Sequence, residues 1–205
     1  MGRRRWPHWK AFCRTALRPP QGERRPSLRR RRDRRRLGSG IGVGRDGDEA
    51  AHHPRSPHLG MVVVVQRVRS ASVTVAGETV GQIGAGYLLL VGLAKDDTAA
   101  DVQRLVQQVA KARLMEDQDG KMGLTVQAAG GAVLAVSQFT LLADFSKGNR
   151  PSFNGAAKPD VAKPLFDLFV QQLSAELGQP VPTGVFGADM QVSLVNDGPV
   201  TVVLY

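Results

Sequence analysis

Three stretches of this sequence gather side chains suited to acyl or phosphate chemistry. Ser137-Gln138-Phe139-Thr140 follows an apolar run, so two hydroxyls and a carboxamide stand where a buried strand ends. Thr140 is there a candidate nucleophile, or a group that orients one, and Gln138 with backbone amides is a candidate oxyanion holder. The plainer reading is a strand edge whose hydroxyls bond to backbone. Lys147-Gly148-Asn149-Arg150-Pro151-Ser152-Phe153 sets two cations in a Gly/Pro loop, which suits phosphate contacts as well as simple solvation. Asn196-Asp197-Gly198-Pro199-Val200-Thr201 separates two strand-like runs. A Gly-Pro turn is an ordinary hairpin connection. It also admits a cis peptide at only ~0.5–1 kcal/mol, which would turn both carbonyl oxygens of the dipeptide the same way.

Missing residue types narrow the chemistry. All four His, both Trp and the only Cys precede Met61. Residues 61–205 thus hold no imidazole or thiol, which excludes Ser-His-Asp and Cys-His mechanisms and a His/Cys zinc site. Gly81–Gly86 lacks the Lys-Ser/Thr and the βαβ setting of a phosphate-binding glycine loop. Neither cofactor nor metal is expected. Hydroxyl, amide, backbone and carboxylate groups remain.

Charge divides the chain in two. Before Met61 there are 17 Lys and Arg against 5 Asp and Glu, net +12. From Met61 onward there are 11 against 13, net −2, and the two parts make up the overall +10. Residues 29–36 read Arg-Arg-Arg-Arg-Asp-Arg-Arg-Arg. Such a block repels itself and has nothing to bury, so residues 1–60 are predicted to be a disordered extension. It reads as an electrostatic arm for nucleic acid, as a transit peptide with ill-fitting Pro and Gly content, or as a mis-assigned start, since Met61 opens a strand-like run at once. Residues 61–205 are long enough for one domain with a real core. A single Cys excludes an internal disulfide. No apolar run approaches the ~20 residues of a membrane span, and no signal-peptide h-region is present. A cytoplasmic protein without membrane contact is expected.

The elements that must position these groups follow from periodicity. Val62–Val68 reads as a buried strand, Ser72–Val75 and Thr79–Ile83 as a hairpin, and Tyr87–Leu93 as another buried strand. Asp96 and Asp97 offer helix-start carboxylates for an amphipathic helix over residues 98–113. A short strand at Leu124–Val126 lies between the turns Asp119-Gly120 and Gly130-Gly131. Val133–Phe139 is predicted as a strand, residues 144–159 as a loop, and Pro159–Leu177 as a helix ended by Gly178. Val181–Phe186, Met190–Val195 and Val200–Leu204 complete about eight strands and two helices in a mostly antiparallel α+β domain.

Taken together and in order, these motifs resemble the D-aminoacyl-tRNA deacylase family, also called the D-tyrosyl-tRNA deacylase family. The match rests on Ser137-Gln138-Phe139-Thr140-Leu141, Lys147-Gly148-x-Arg150-Pro151-Ser152-Phe153, Thr183-Gly184-x-Phe186-Gly187-Ala188-x-Met190 and Asn196-Asp197-Gly198-Pro199-Val200-Thr201. Gln66-Arg67-Val68, Ala71-Ser72-Val73 and Val80-Gly81-x-Ile83-Gly84-x-Gly86 join them. The resemblance covers residues 61–205 and none of 1–60. Gly123 and Tyr205 depart from the family's usual Asn and acidic residue, outside the pocket motifs.

The resemblance implies a homodimer of β-barrel-like subunits with two active sites at the interface. Ser137, Gln138, Phe139 and Thr140 of one subunit would form the pocket, and a Gly198-Pro199 cis dipeptide of the other would reach into it. Asn196 would belong to the same turn, with Arg67 supporting it. Phe186 and Met190 would line the adenosine end, and Lys147 and Arg150, with Lys158 and Lys163, would contact the tRNA acceptor end. The implied reaction is hydrolysis of the ester between a D-amino acid, or glycine, and tRNA, with the L-aminoacyl ester rejected by the Gly-cis-Pro motif. Either Thr140 attacks or the terminal 2′-OH of the tRNA assists; the lack of a nearby base favours the second. Two rival readings stay open: a non-catalytic RNA-binding adaptor using the Arg-rich arm, and a related deacylase for glycine or L-alanine.

Overall fold

The computed structural model describes residues 60–205, so the predicted disorder of the Arg-rich extension lies outside the described residues. Seven strands and two helices form an α+β domain: β1 Val62–Val75, β2 Glu78–Ile83, β3 Gly86–Gly92, α1 Ala99–Lys111, β4 Met115–Glu116, β5 Met122–Leu124, β6 Ala132–Ser137, α2 Pro159–Leu177 and β7 Gln191–Leu204. β1 is the spine. β3 and then β2 pair antiparallel along one of its edges, and β7 pairs antiparallel along the other. β6 lies parallel to β3, reached through the crossover that contains α1.

β1 was predicted in two pieces, and the reason lies in its register. Val63 and Val65 face the core beneath the helices, whereas Val68, Ala71 and Val73 belong to a second cluster. The positions that feed the second cluster change from even at Val68 to odd at Ala71 and Val73, where the β1–β7 register slips. A bulge of this kind breaks a period-two pattern without ending the strand.

The main core joins Val63, Val65, Tyr87, Leu89, Val91, Val133 and Ala135 of the sheet to Leu105, Val109, Phe169 and Leu173 of the helices. In α1, Val102, Leu105, Val106 and Val109 are buried at helical spacing. The helix is started by Thr98, whose backbone N–H and hydroxyl both donate to the Asp101 carboxylate, rather than by Asp96 or Asp97. α2 begins with Pro159 and stops at Gly178, which takes a left-handed φ of 66°. No described helix is long and apolar enough to cross a membrane.

Three expectations are corrected. Val181–Phe186 is not a strand; only Thr183 bridges to Ala135, because Pro180 and Pro182 carry no N–H for a ladder. The short strand near 124 is Met122–Leu124, paired with Met115–Glu116. Met190–Val195 and Val200–Leu204 are one strand, β7, interrupted by a bulge.

Asp97 has a different task from the one its position suggested. Its carboxylate accepts the backbone N–H of Met61 at 2.8 Å and of Ala94 at 2.6 Å, pinning the entry to β1. Burial raises its pKa above the ordinary 3.8, and the two backbone donors oppose this only in part. A carboxyl raised on folding contributes stability that is complete below the unfolded value and is lost as pH rises through the folded one. Urea midpoints of the wild-type protein relative to Asp97→Asn should therefore fall as pH climbs from below 3.8. A difference that stays level or grows with pH would contradict this environment.

Candidate active site

Ser137 makes the last β6 rung with Val91 of β3. The Gln138 N–H then donates to the Val91 carbonyl at 2.7 Å, and the chain leaves the sheet as a 3-10 turn over Phe139–Leu142. Phe139 and Thr140 thus stand beyond the strand end that the sequence assigned them to, both exposed. Inside this turn the Gln138 Nε2 donates closely to Thr140 Oγ1. A carboxamide N–H can orient that hydroxyl but cannot take its proton. The recorded partner of Thr140 is therefore one that positions it, and not a base that activates it.

The second motif reaches this turn through an aromatic contact. Phe139 and Phe153 meet edge to face with ring centroids 5.1 Å apart. Asp144 and Ser152 exchange two backbone hydrogen bonds of 2.8 Å, closing residues 145–151 into a loop that carries Lys147 and Arg150 exposed. The Ser146 N–H donates to the Asp144 carboxylate and holds its pKa below the ordinary range. Lys163 is instead tied to Asp167 one turn along α2.

The third motif is the bulge in β7. Gln66 pairs with Thr201 and Val68 with Asn196, so Arg67 alone faces the four residues Asp197 to Val200. Gly198 and Pro199 are exposed at the crest, and the peptide between them is cis. Arg67 is 4% exposed and fills the space beneath. Its Nε donates to the Asp197 carbonyl at 3.3 Å and lies 3.2 Å from the Asp197 carboxylate. Its Nη1 donates to the Leu114 carbonyl at 3.0 Å and its Nη2 to Glu116 Oε1 at 2.9 Å. Arg69 approaches the other Asp197 oxygen at 2.9 Å from the solvent side.

Sequence reasoning missed Asp197, Leu114, Glu116 and Tyr87 as members of this assembly. One signal was available: Arg67 continues the inward alternation of Val63 and Val65, and a charge in that position needs several partners. Of the other expected residues, Asn196 turns its Nδ2 toward Thr201 Oγ1 at 3.5 Å, while its Oδ1 is buried without a hydrogen-bond partner. Phe186 rests on Phe166 beside the main core, and Met190 packs on the second cluster.

Within one chain the two halves stand apart. Arg67 lies opposite Tyr87, whereas Gln138 bonds to Val91, four residues further along β3. That is roughly 13 Å along a strand, before any displacement across the sheet.

A turn that orients a hydroxyl, joined through Phe153 to a loop with exposed cations, suits ester hydrolysis by positioning on a substrate that carries phosphate. This places the chain among the hydrolases. The family model described as D-Tyr-tRNA(Tyr) deacylase matches residues 64–205. The protein called D-aminoacyl-tRNA deacylase in Chlorobaculum parvum is 55% identical over 144 residues, 70% of this chain and 97% of the relative. Its namesake in Dechloromonas aromatica is 56% identical over 144 residues, 70% and 96% of the two chains. The chain belongs to the D-aminoacyl-tRNA deacylase family. Among solved structures, the c-Myc DNA Unwinding Element Binding Protein is 40% identical with a TM-score of 0.65, over 70% of this chain and 97% of that one. A probable eukaryotic D-amino acid tRNA deacylase is 17% identical with a TM-score of 0.63, over 70% and 98%, a likeness of fold alone.

Proposed function

We propose that this protein is a cytoplasmic homodimer that hydrolyses the ester between a D-amino acid, or glycine, and the 3′-terminal ribose of tRNA. The observation that carries the reading is the exposed Gly198-Pro199 crest, held from below by Arg67 and remote from Thr140 in its own chain. A crest so placed serves the pocket of a second copy. β7 is an edge strand bearing the exposed Leu194, Val195 and Val203, a surface suited to such a partner.

In this pocket the carbonyl oxygens of the turn accept hydrogen bonds from the substrate α-ammonium and so fix the substituents about Cα. An L side chain is then directed into backbone, while a D residue or glycine presents only hydrogen there. Gln138 and Thr140 orient the ester, with Ser137 and Phe139 shaping the floor. Water, assisted by the terminal 2′-OH of the tRNA, adds to the carbonyl carbon. The bond to the 3′ oxygen breaks, that oxygen leaves with a proton, and the free amino acid departs. Lys147 and Arg150 meet acceptor-end phosphates, so the salt dependence is modest for a domain that is otherwise slightly acidic.

The test is deacylation of D-tyrosyl- and L-tyrosyl-tRNA by the purified protein. Rapid release of the D residue with the L ester spared is the expected result; equal rates, or none, reject the reading. Within this scheme Thr140→Ala loses an orienting group and not a nucleophile, so its turnover should stay within roughly tenfold of wild type. Complete loss in a folded variant would make Thr140 the attacking group.

A further inference from the structure

Tyr87 is the directly opposed cross-strand neighbour of Arg67. Its side chain is fully buried on the helix-facing side of the sheet, in the same core as Val65 and Leu89. The phenol nonetheless makes two specific contacts. It donates to the Ala112 carbonyl and accepts the Leu114 N–H, each at 3.2 Å, in the segment that leaves α1. Burial holds its pKa above the ordinary 10, so the proton it donates stays in place.

Both backbone groups of Leu114 are therefore held by the two residues of a single rung. Its N–H is taken by Tyr87 and its carbonyl by Arg67 Nη1. Arg67 in turn donates its Nε to Asp197 at the base of the Gly198-Pro199 crest. Removing the phenol oxygen frees the Leu114 segment, and with it the anchor that fixes one branch of the guanidinium. A planar, forked group loses directional contact when any one acceptor moves.

We propose that Tyr87 is a positioning residue for the Gly198-Pro199 turn, acting through Leu114 and Arg67, and that it sharpens the discrimination between D and L substrates. The second half of this statement rests on the turn being the acceptor for the substrate amine; the first half does not.

Two measurements on full-length Tyr87→Phe separate them. Amide hydrogen exchange at Asp197, Gly198 and Val200 should quicken by roughly fivefold, the scale of one lost hydrogen bond, while Phe169 and Leu173 in α2 keep wild-type exchange. Unchanged exchange in the turn overturns the relay, whatever the activity. So does an equal rise in α2, which would mark general loss of stability. The D-to-L ratio of kcat/KM should fall by a similar factor in the variant, an effect that a smaller folded fraction cannot produce. A wild-type ratio near one would refute the substrate reading and leave the exchange result to judge Tyr87. A variant with a quickened turn but an unaltered ratio would overturn the role in selectivity.

Discussion

Gly198→Ala is expected to lower D-tyrosyl-tRNA deacylation by at least ~100-fold while leaving a folded protein. Gly198 holds φ at +111°, a conformation that costs an L residue about 1–3 kcal/mol. A β-carbon there would also lie 2.8 Å from Arg67 Nη2 and 2.9 Å from Val200 Cγ2. The crest can relieve this only by moving off the guanidinium beneath it. Displacement of a positioning group by about 1 Å is enough for a hundredfold loss. The position is exposed and outside both cores, so urea midpoints should shift little by comparison. Single-turnover rates against unfolding curves make the comparison. Wild-type turnover in Gly198→Ala would remove the crest from the site.

Arg67→Met should damage both activity and stability. Methionine fills part of the space but leaves the Leu114 and Asp197 carbonyls and the Glu116 carboxylate without this donor, and the Asp197 carboxylate with Arg69 alone. Glu116 is 55% exposed and can turn to water, which limits the penalty. About 2 kcal/mol of stability and at least roughly thirtyfold in kcat/KM are the expected losses. Arg67→Lys separates the two effects. It restores the charge but offers no fork, so stability should recover more than turnover does. Equal recovery of both would mean that Arg67 holds the core together without steering the turn.

The elements that the sequence revealed best are those with one face and clear ends. α2 runs from Pro159 to Leu177 as its proline and glycine punctuation predicts, and α1 follows the spacing of Val102, Leu105, Val106 and Val109. Long strands were cut wherever their pattern slipped, since a bulge in β1 or β7 looks in sequence like an end. Val181–Phe186 failed in the opposite sense: apolar residues packed against the core simulate a strand although two prolines forbid the ladder. At the site, Gln138, Thr140 and the Gly-Pro turn were visible as motifs. Their support was not, because Tyr87, Leu114, Glu116 and Asp197 become neighbours of Arg67 only when strands distant in sequence are laid side by side.

β7 carries the crest, and it is also the strand that covers the second edge of β1, joining Thr74 to Gln191 and Val63 to Leu204. On the ribosome, β1 emerges early and must wait for almost the whole remaining domain before that edge is covered. Until then Val62–Val65 lies on an open border of β-branched residues, the kind that recruits a neighbouring nascent chain. A ribosome that stalls before residue 191 accordingly releases a polypeptide that lacks the crest and keeps the sticky edge. Synthesis of the last strand adds the crest and covers that border of β1 in the same step.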